Sequence, residues 1–107
     1  MDDSIILVYC TVPSIAEAKK IAGVVIEKRM AACCSIIENV TSIFHWQNKI
    51  EEAQEVLLLI KTTGKIYQQL EKEIKMIHSY SVPEIMATTI DYASSAFKEW
   101  VQESTNQ

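Results

Sequence analysis

The sequence has 107 residues, enough for one hydrophobic core and too few for two, so a single domain over residues 1–107 is expected. Hydrophobic residues make up 49% and charged residues 22%, which excludes disordered and fibrous classes, and only 2 Gly and 2 Pro leave little room for long linkers. The net charge of −4 comes from 14 acids against 10 bases, with no basic stripe to release counterions from nucleic acid, so no nucleic-acid partner is expected.

The start, Met1-Asp2-Asp3-Ser4, is acidic, the reverse of a signal peptide's basic opening, and points to a cytoplasmic protein. Ile5-Ile6-Leu7-Val8-Tyr9-Cys10 is an apolar run of six residues. That is far short of the roughly 20 that span a bilayer, so no membrane partner is expected. Its β-branched content suits a strand at the centre of a sheet, buried on both faces. Val12-Pro13 stops the strand, and Ser14-Ile15-Ala16-Glu17 has capping-box spacing, so a helix starts there. Ala18, Ile21, Ala22, Val25 and Met30 carry its apolar face towards an end near Arg29.

Ala32 to Trp46 reads as a second strand, with a bulge or bend at Glu38-Asn39. Gln47-Asn48-Lys49 reads as a hairpin turn, and a third strand returns through Val56-Leu57-Leu58-Leu59-Ile60 to Thr63. Ile66, Leu70, Ile74 and Ile77 repeat at helical spacing and predict a second helix. His78 to Pro83 is a loop, Ile85 to Ile90 a fourth strand, and Phe97, Trp100 and Val101 mark a short terminal helix.

The order βαββαβ plus a C-terminal helix is the ferredoxin-like α+β pattern, an antiparallel sheet of order 4-1-3-2 with two helices on one face. The hairpin is too long for it. Arms of about 14 residues reach about 46 Å, against a diameter of roughly 34 Å for a compact chain of this size. An overhang places Ile43, Phe44 and Trp46 at an oligomer interface in a closed homo-oligomer.

Cys10 ends the central strand just before a helix N-terminus. It reads either as a small buried hydrophobe or as a thiolate favoured by the helix dipole. The loop feeding the fourth strand hangs over the same sheet end, so His78 converges on Cys10, unless it serves only to partner its own helix terminus. Thiolate and imidazole together suit copper or zinc. Tyr80 and Glu84 are candidate cleft or ligand residues on the same loop, with a solvated Glu84 as the alternative. Cys33 and Cys34 point to opposite faces and read as packing residues. Cys33 is expected at the far end of the sheet, about 20 Å from Cys10. His45 is assigned to an interface or the surface. Gly23 and Gly64 stand alone, and no nucleophile–base constellation or phosphate loop occurs, so neither an enzyme nor an organic cofactor is expected.

Val8-Tyr9-Cys10-Thr11-Val12-Pro13, Glu27-Lys28-Arg29-Met30-Ala31-Ala32-Cys33, Thr41-Ser42-Ile43-Phe44-His45-Trp46, Glu55-Val56 through Lys61-Thr62-Thr63, and His78-Ser79-Tyr80-Ser81-Val82-Pro83-Glu84 follow a familiar order and spacing. In these blocks the chain resembles the CutA family of divalent-cation tolerance proteins across essentially its full length. The resemblance implies a ferredoxin-like fold, a stable homotrimer similar in architecture to PII signalling proteins, and association with copper or other divalent metal ions. Cys10 matches the family's strand-end cysteine implicated in copper binding, His78 the histidine of its His-Pro-Tyr segment, and Cys33 its Ala-Cys. This chain departs at Ile77, where some members have a second histidine, at Ser79, where the family has proline, and at Cys34-Ser35 and Glu38-Asn39, where a Pro-Gly bend is common. Two functions follow from the resemblance: a metal-binding trimer contributing to cation tolerance, or a PII-like trimer whose inter-subunit clefts take a small anion or a protein partner.

Overall fold

A computed structural model describes residues 2–107; Met1, the first residue of the acidic start, lies outside the described residues. The elements are β1 (Ile5–Val12), α1 (Ile15–Glu27), β2 (Cys33–Trp46), β3 (Lys49–Thr63), α2 (Tyr67–Ile77), β4 (Ile85–Thr89) and α3 (Ser95–Ser104), with a 3₁₀ turn at Gly64–Ile66 leading into α2. The strands form one antiparallel sheet in the order β2-β3-β1-β4, the ferredoxin-like arrangement that the apolar run of β1 requires at the centre. No helix among the described residues is long and apolar enough to cross a membrane.

Alternation sorts the sheet into two unlike faces. Ile6, Val8, Cys10 and Val12 of β1 and Val56, Leu58 and Ile60 of β3 point to the helices, where they form one core with Ile21 and Val25 of α1 and Leu70 and Ile74 of α2. Fully burying each of these aliphatic side chains contributes roughly 1.5–3 kcal/mol. On the other face Leu7, Tyr9, Leu57 and Leu59 are half-buried, while Ile37 and Met86 are 45% and 54% exposed. α3 lies against β1 and β3 and buries Val101. Most of that second face carries no helix.

Two local features shape the hairpin. Trp46 pairs with Lys49, and Gln47 and Asn48 both have positive φ, 51° and 64°, as a two-residue type I′ turn demands; Lys49 already belongs to β3 rather than to the turn. On β2 the pairing slips between Ile37 and Val40, and Asn39 sits at φ 64°, so the expected bulge is present. The arms, 14 and 15 residues long, set a 44 Å long axis on a molecule only 25 and 23 Å across its other axes.

Candidate functional site

Cys10 and His78 meet at one carbonyl. His78 is the C-cap of α2, its ring is fully buried, and Nε2 lies 2.8 Å from the Thr11 carbonyl oxygen, the group that the Cys10 Sγ approaches at 3.9 Å. The backbone N–H of Tyr80 donates to Nδ1 at 2.9 Å. With Nδ1 accepting and Nε2–H donating to Thr11, neither ring nitrogen has a lone pair to offer. Cys10 is no better placed. It is fully buried, and burial, followed by the carboxylate of Glu84, pushes its thiol up to about 12. Of the two readings of Cys10, the small buried hydrophobe is the one that fits its burial and raised thiol. Among the described residues no three His, Cys, Asp or Glu side chains converge into a group that could hold a metal ion.

The raised thiol has a consequence for stability. Folded Cys10 holds its proton to about 12, whereas an ordinary thiol releases it near 9.0. Between those values the unfolded chain binds fewer protons, so stability falls as pH rises. Urea unfolding followed across that interval should show the decline, and Cys10→Ala should flatten it. Cys34, pushed up to about 11 chiefly by burial, supplies part of the remaining slope.

The other cysteines are closer than the sequence suggested. Cys33 pairs with Lys61, which pairs with Leu7, so it lies three residues from the level of Cys10 along the strands, an offset of about 10 Å. Two strand spacings still separate them laterally. Cys34 faces the helices and joins the core, as a packing residue should.

Glu17 has a role that its capping-box position did not announce. Ser14 accepts from the Glu17 N–H at 3.2 Å, but the Glu17 carboxylate does not return the bond; it accepts the Ser79 N–H at 2.9 Å and lies 3.6 Å from His78 Nδ1. α1 thus grips the loop 78–84 and sends it across the end of β1. Tyr80 then reaches β3, where its hydroxyl donates to Glu55 at 2.8 Å. Burial and that carboxylate push the phenol up to about 12.

The loop and the hairpin overhang enclose a cleft of about 930 Å³. Its walls are residues 42–46 and 51–53, with Glu55, the loop from Ser79 to Val82, and Glu84. Tyr80 and Glu84, the candidate cleft residues, are both there. So are Ile43, Phe44 and Trp46, assigned to an interface, and His45, assigned to an interface or the surface. Four lining residues are carboxylates, Glu51, Glu52, Glu55 and Glu84, and none is Lys or Arg. This charge opposes the small anion considered above. Glu55 is the residue that sequence reasoning missed: it is only 7% exposed, and it takes part in none of the ion pairs among the described residues. The signal available was the acidic run Glu51-Glu52-x-x-Glu55 on the arm facing Phe44.

The geometry agrees with known proteins over almost the whole chain. Residues 6–104 match the family model described as CutA1 divalent ion tolerance protein. The chain is 41% identical over 99 residues to the divalent-cation tolerance protein CutA of Thermus thermophilus, covering 92% of this chain and 96% of that one. It is 37% identical over 102 residues to mouse protein CutA, of which it spans only 58% while 95% of its own length is covered. The solved Thermus thermophilus structure superposes with a TM-score of 0.93 at 40% identity, covering 95% of this chain and 99% of that one. Sequence, strand order and superposition thus converge on one assignment, and the chain belongs to the CutA1 family of divalent ion tolerance proteins.

Proposed function

We propose that this protein serves divalent-cation tolerance as a cytoplasmic homotrimer without catalytic turnover, and that it meets cations at the acidic cleft rather than in a resident metal centre. The observation that carries this reading is Glu55, a carboxylate more than nine-tenths buried that faces the cleft with a phenol, and no cation, as its partner. A buried charge is costly unless it is paired. Glu51, Glu52 and Glu84 add to the same field, so positive charge is drawn in by electrostatics rather than fixed by coordination. Trimer contacts are assigned to the uncovered sheet face and to the overhanging tip, where Ile43 and Ile50 are 67% and 72% exposed. Mn²⁺ added at low ionic strength should broaden the amide NMR signals of residues 51–55 and 80–84 first, and Glu55→Gln should weaken the effect. Broadening centred anywhere else rejects the cleft.

A second reading places a soft ion such as copper at Cys10 and His78, favoured by their convergence on the Thr11 carbonyl. Both groups would have to give up their present partners and Cys10 its proton, so copper affinity should rise with pH. Calorimetry should then show copper binding lost in Cys10→Ser, weakened in His78→Ala, and unchanged in Cys34→Ser and Glu51→Gln; copper binding that survives in Cys10→Ser excludes the site.

A further inference from the structure

The loop 78–84 is fastened by side chains alone. Among the described residues no backbone–backbone hydrogen bond involves 79–84, none of these six residues is buried, and Val82 is 72% exposed. The ties are gathered at the start of the loop. His78 Nε2 meets the Thr11 carbonyl at 2.8 Å, the Ser79 N–H donates to Glu17 and the Tyr80 N–H to His78 Nδ1 at 2.9 Å each, and the Tyr80 hydroxyl donates to Glu55 at 2.8 Å. A segment with no apolar anchor and no main-chain bonds sits at the low end of local stability. What lies under it sits at the high end: Cys10 is fully buried, and its Sγ approaches the same carbonyl oxygen as the His78 ring. The residue that starts the loop therefore shields the thiol.

The ties also run in series. Glu17 sets the direction in which the chain leaves α2, the Tyr80 N–H fixes the imidazole, and the imidazole holds Thr11, so losing one loosens the next. Glu17 on α1 and Glu55 on β3 are carboxylate acceptors, and bonds to ionised acceptors are about twice as strong as neutral ones. We propose that residues 78–84 form a lid that opens as one unit, that Glu17 is the positioning residue that latches it, and that its opening brings solvent to Cys10. The motion belongs to the loop and holds whatever the cleft receives.

Amide hydrogen exchange and iodoacetamide labelling of the full chain, the latter read at Cys10 by peptide mass, test the lid. In the wild type the Ser79 and Tyr80 amides and the Cys10 thiol should report the same opening equilibrium, one far more favourable than that of the core amides of Val8 and Leu58. Glu17→Ala should speed Tyr80 exchange and Cys10 labelling about tenfold or more. Tyr80→Phe, which removes only the bond to Glu55, should speed Ser79 exchange and Cys10 labelling, because the lid moves as one piece. Val8 and Leu58 should keep their wild-type rates in both. Lys28→Ala, which cuts the ion pair between α1 and Glu73 of α2, should leave the lid as it is. Cys10 labelling that keeps pace with Val8 and Leu58 in every variant overturns the lid, since the thiol is then reached only by global unfolding. Glu17→Ala that frees Ser79 alone, or a Lys28→Ala effect on Cys10 as large as that of Glu17→Ala, overturns the latch.

Discussion

His78→Ala should lower the unfolding free energy by about 3 kcal/mol, the sum of a cavity and two lost hydrogen bonds. The ring is fully buried, and it accepts from the Tyr80 N–H while donating to the Thr11 carbonyl, so its removal leaves backbone groups unpaired at both ends. His78→Gln, long enough to reach one partner, should recover part of the loss. Urea unfolding at fixed protein concentration measures both. The effect should also travel, because the histidine orients the loop that carries Tyr80: in His78→Ala the Tyr80 hydroxyl loses its fixed approach to Glu55. A variant as stable as wild type would mean that water replaces the ring at no cost, and that the loop is held by Glu17 alone.

Ile37→Asp together with Met86→Asp should convert the proposed trimer to single chains of 12.1 kDa in sedimentation. Both residues lie on the sheet face that lacks helices, and at 45% and 54% exposure neither anchors the core, so each protomer should fold almost unchanged. If another protomer covers this face, each Asp there is a buried charge without a partner, a penalty of several kcal/mol at every copy of the contact. The double variant should keep the wild-type circular dichroism. Retention of the wild-type sedimentation would place the assembly surface elsewhere, and a wild-type protein that itself sediments at 12.1 kDa would remove the trimer.

Elements whose cause is local were legible in the sequence. The β-branched run of β1, the Ser14 cap and the four-residue spacing of α2 each depend on neighbours a few positions away, and each element stands where it was expected. The site was harder to read because its causes are distant. β1 is fully buried only on its helix-facing side, where Cys10 lies, and that burial is what keeps the thiol protonated. His78 was correctly brought to the end of β1, but its saturation depends on the Thr11 carbonyl, 67 residues away in sequence. Glu55 looks like an ordinary surface acid until Tyr80, 25 positions later, closes over it. Glu17 fitted a local motif so well that its long-range bond to Ser79 had no separate signal.

The bulge at Glu38-Asn39 decides which set of side chains the cleft receives. From Leu57 to Glu55 β3 advances two residues, while from Ile37 to Val40 β2 advances three. That odd step inverts the parity of the outer arm, so Val40, Ser42, Phe44 and Trp46 share a side with Glu51 and Glu55. Without it the other half of the alternation, Thr41, Ile43 and His45, would stand there. Residue 39 therefore sets the phase: its extra length is absorbed at the bulge, whereas flattening the bulge with residue 39 kept in the ladder would slip the arm by one and exchange an aromatic wall for one bearing an isoleucine and an imidazole. Deleting Asn39 would remove the bulge and leave Phe44 opposite Glu51, so what the hairpin offers to the cleft depends on whether the extra residue is looped out or paired, while the helical core, built on the inner half of the same strands, stays as it is.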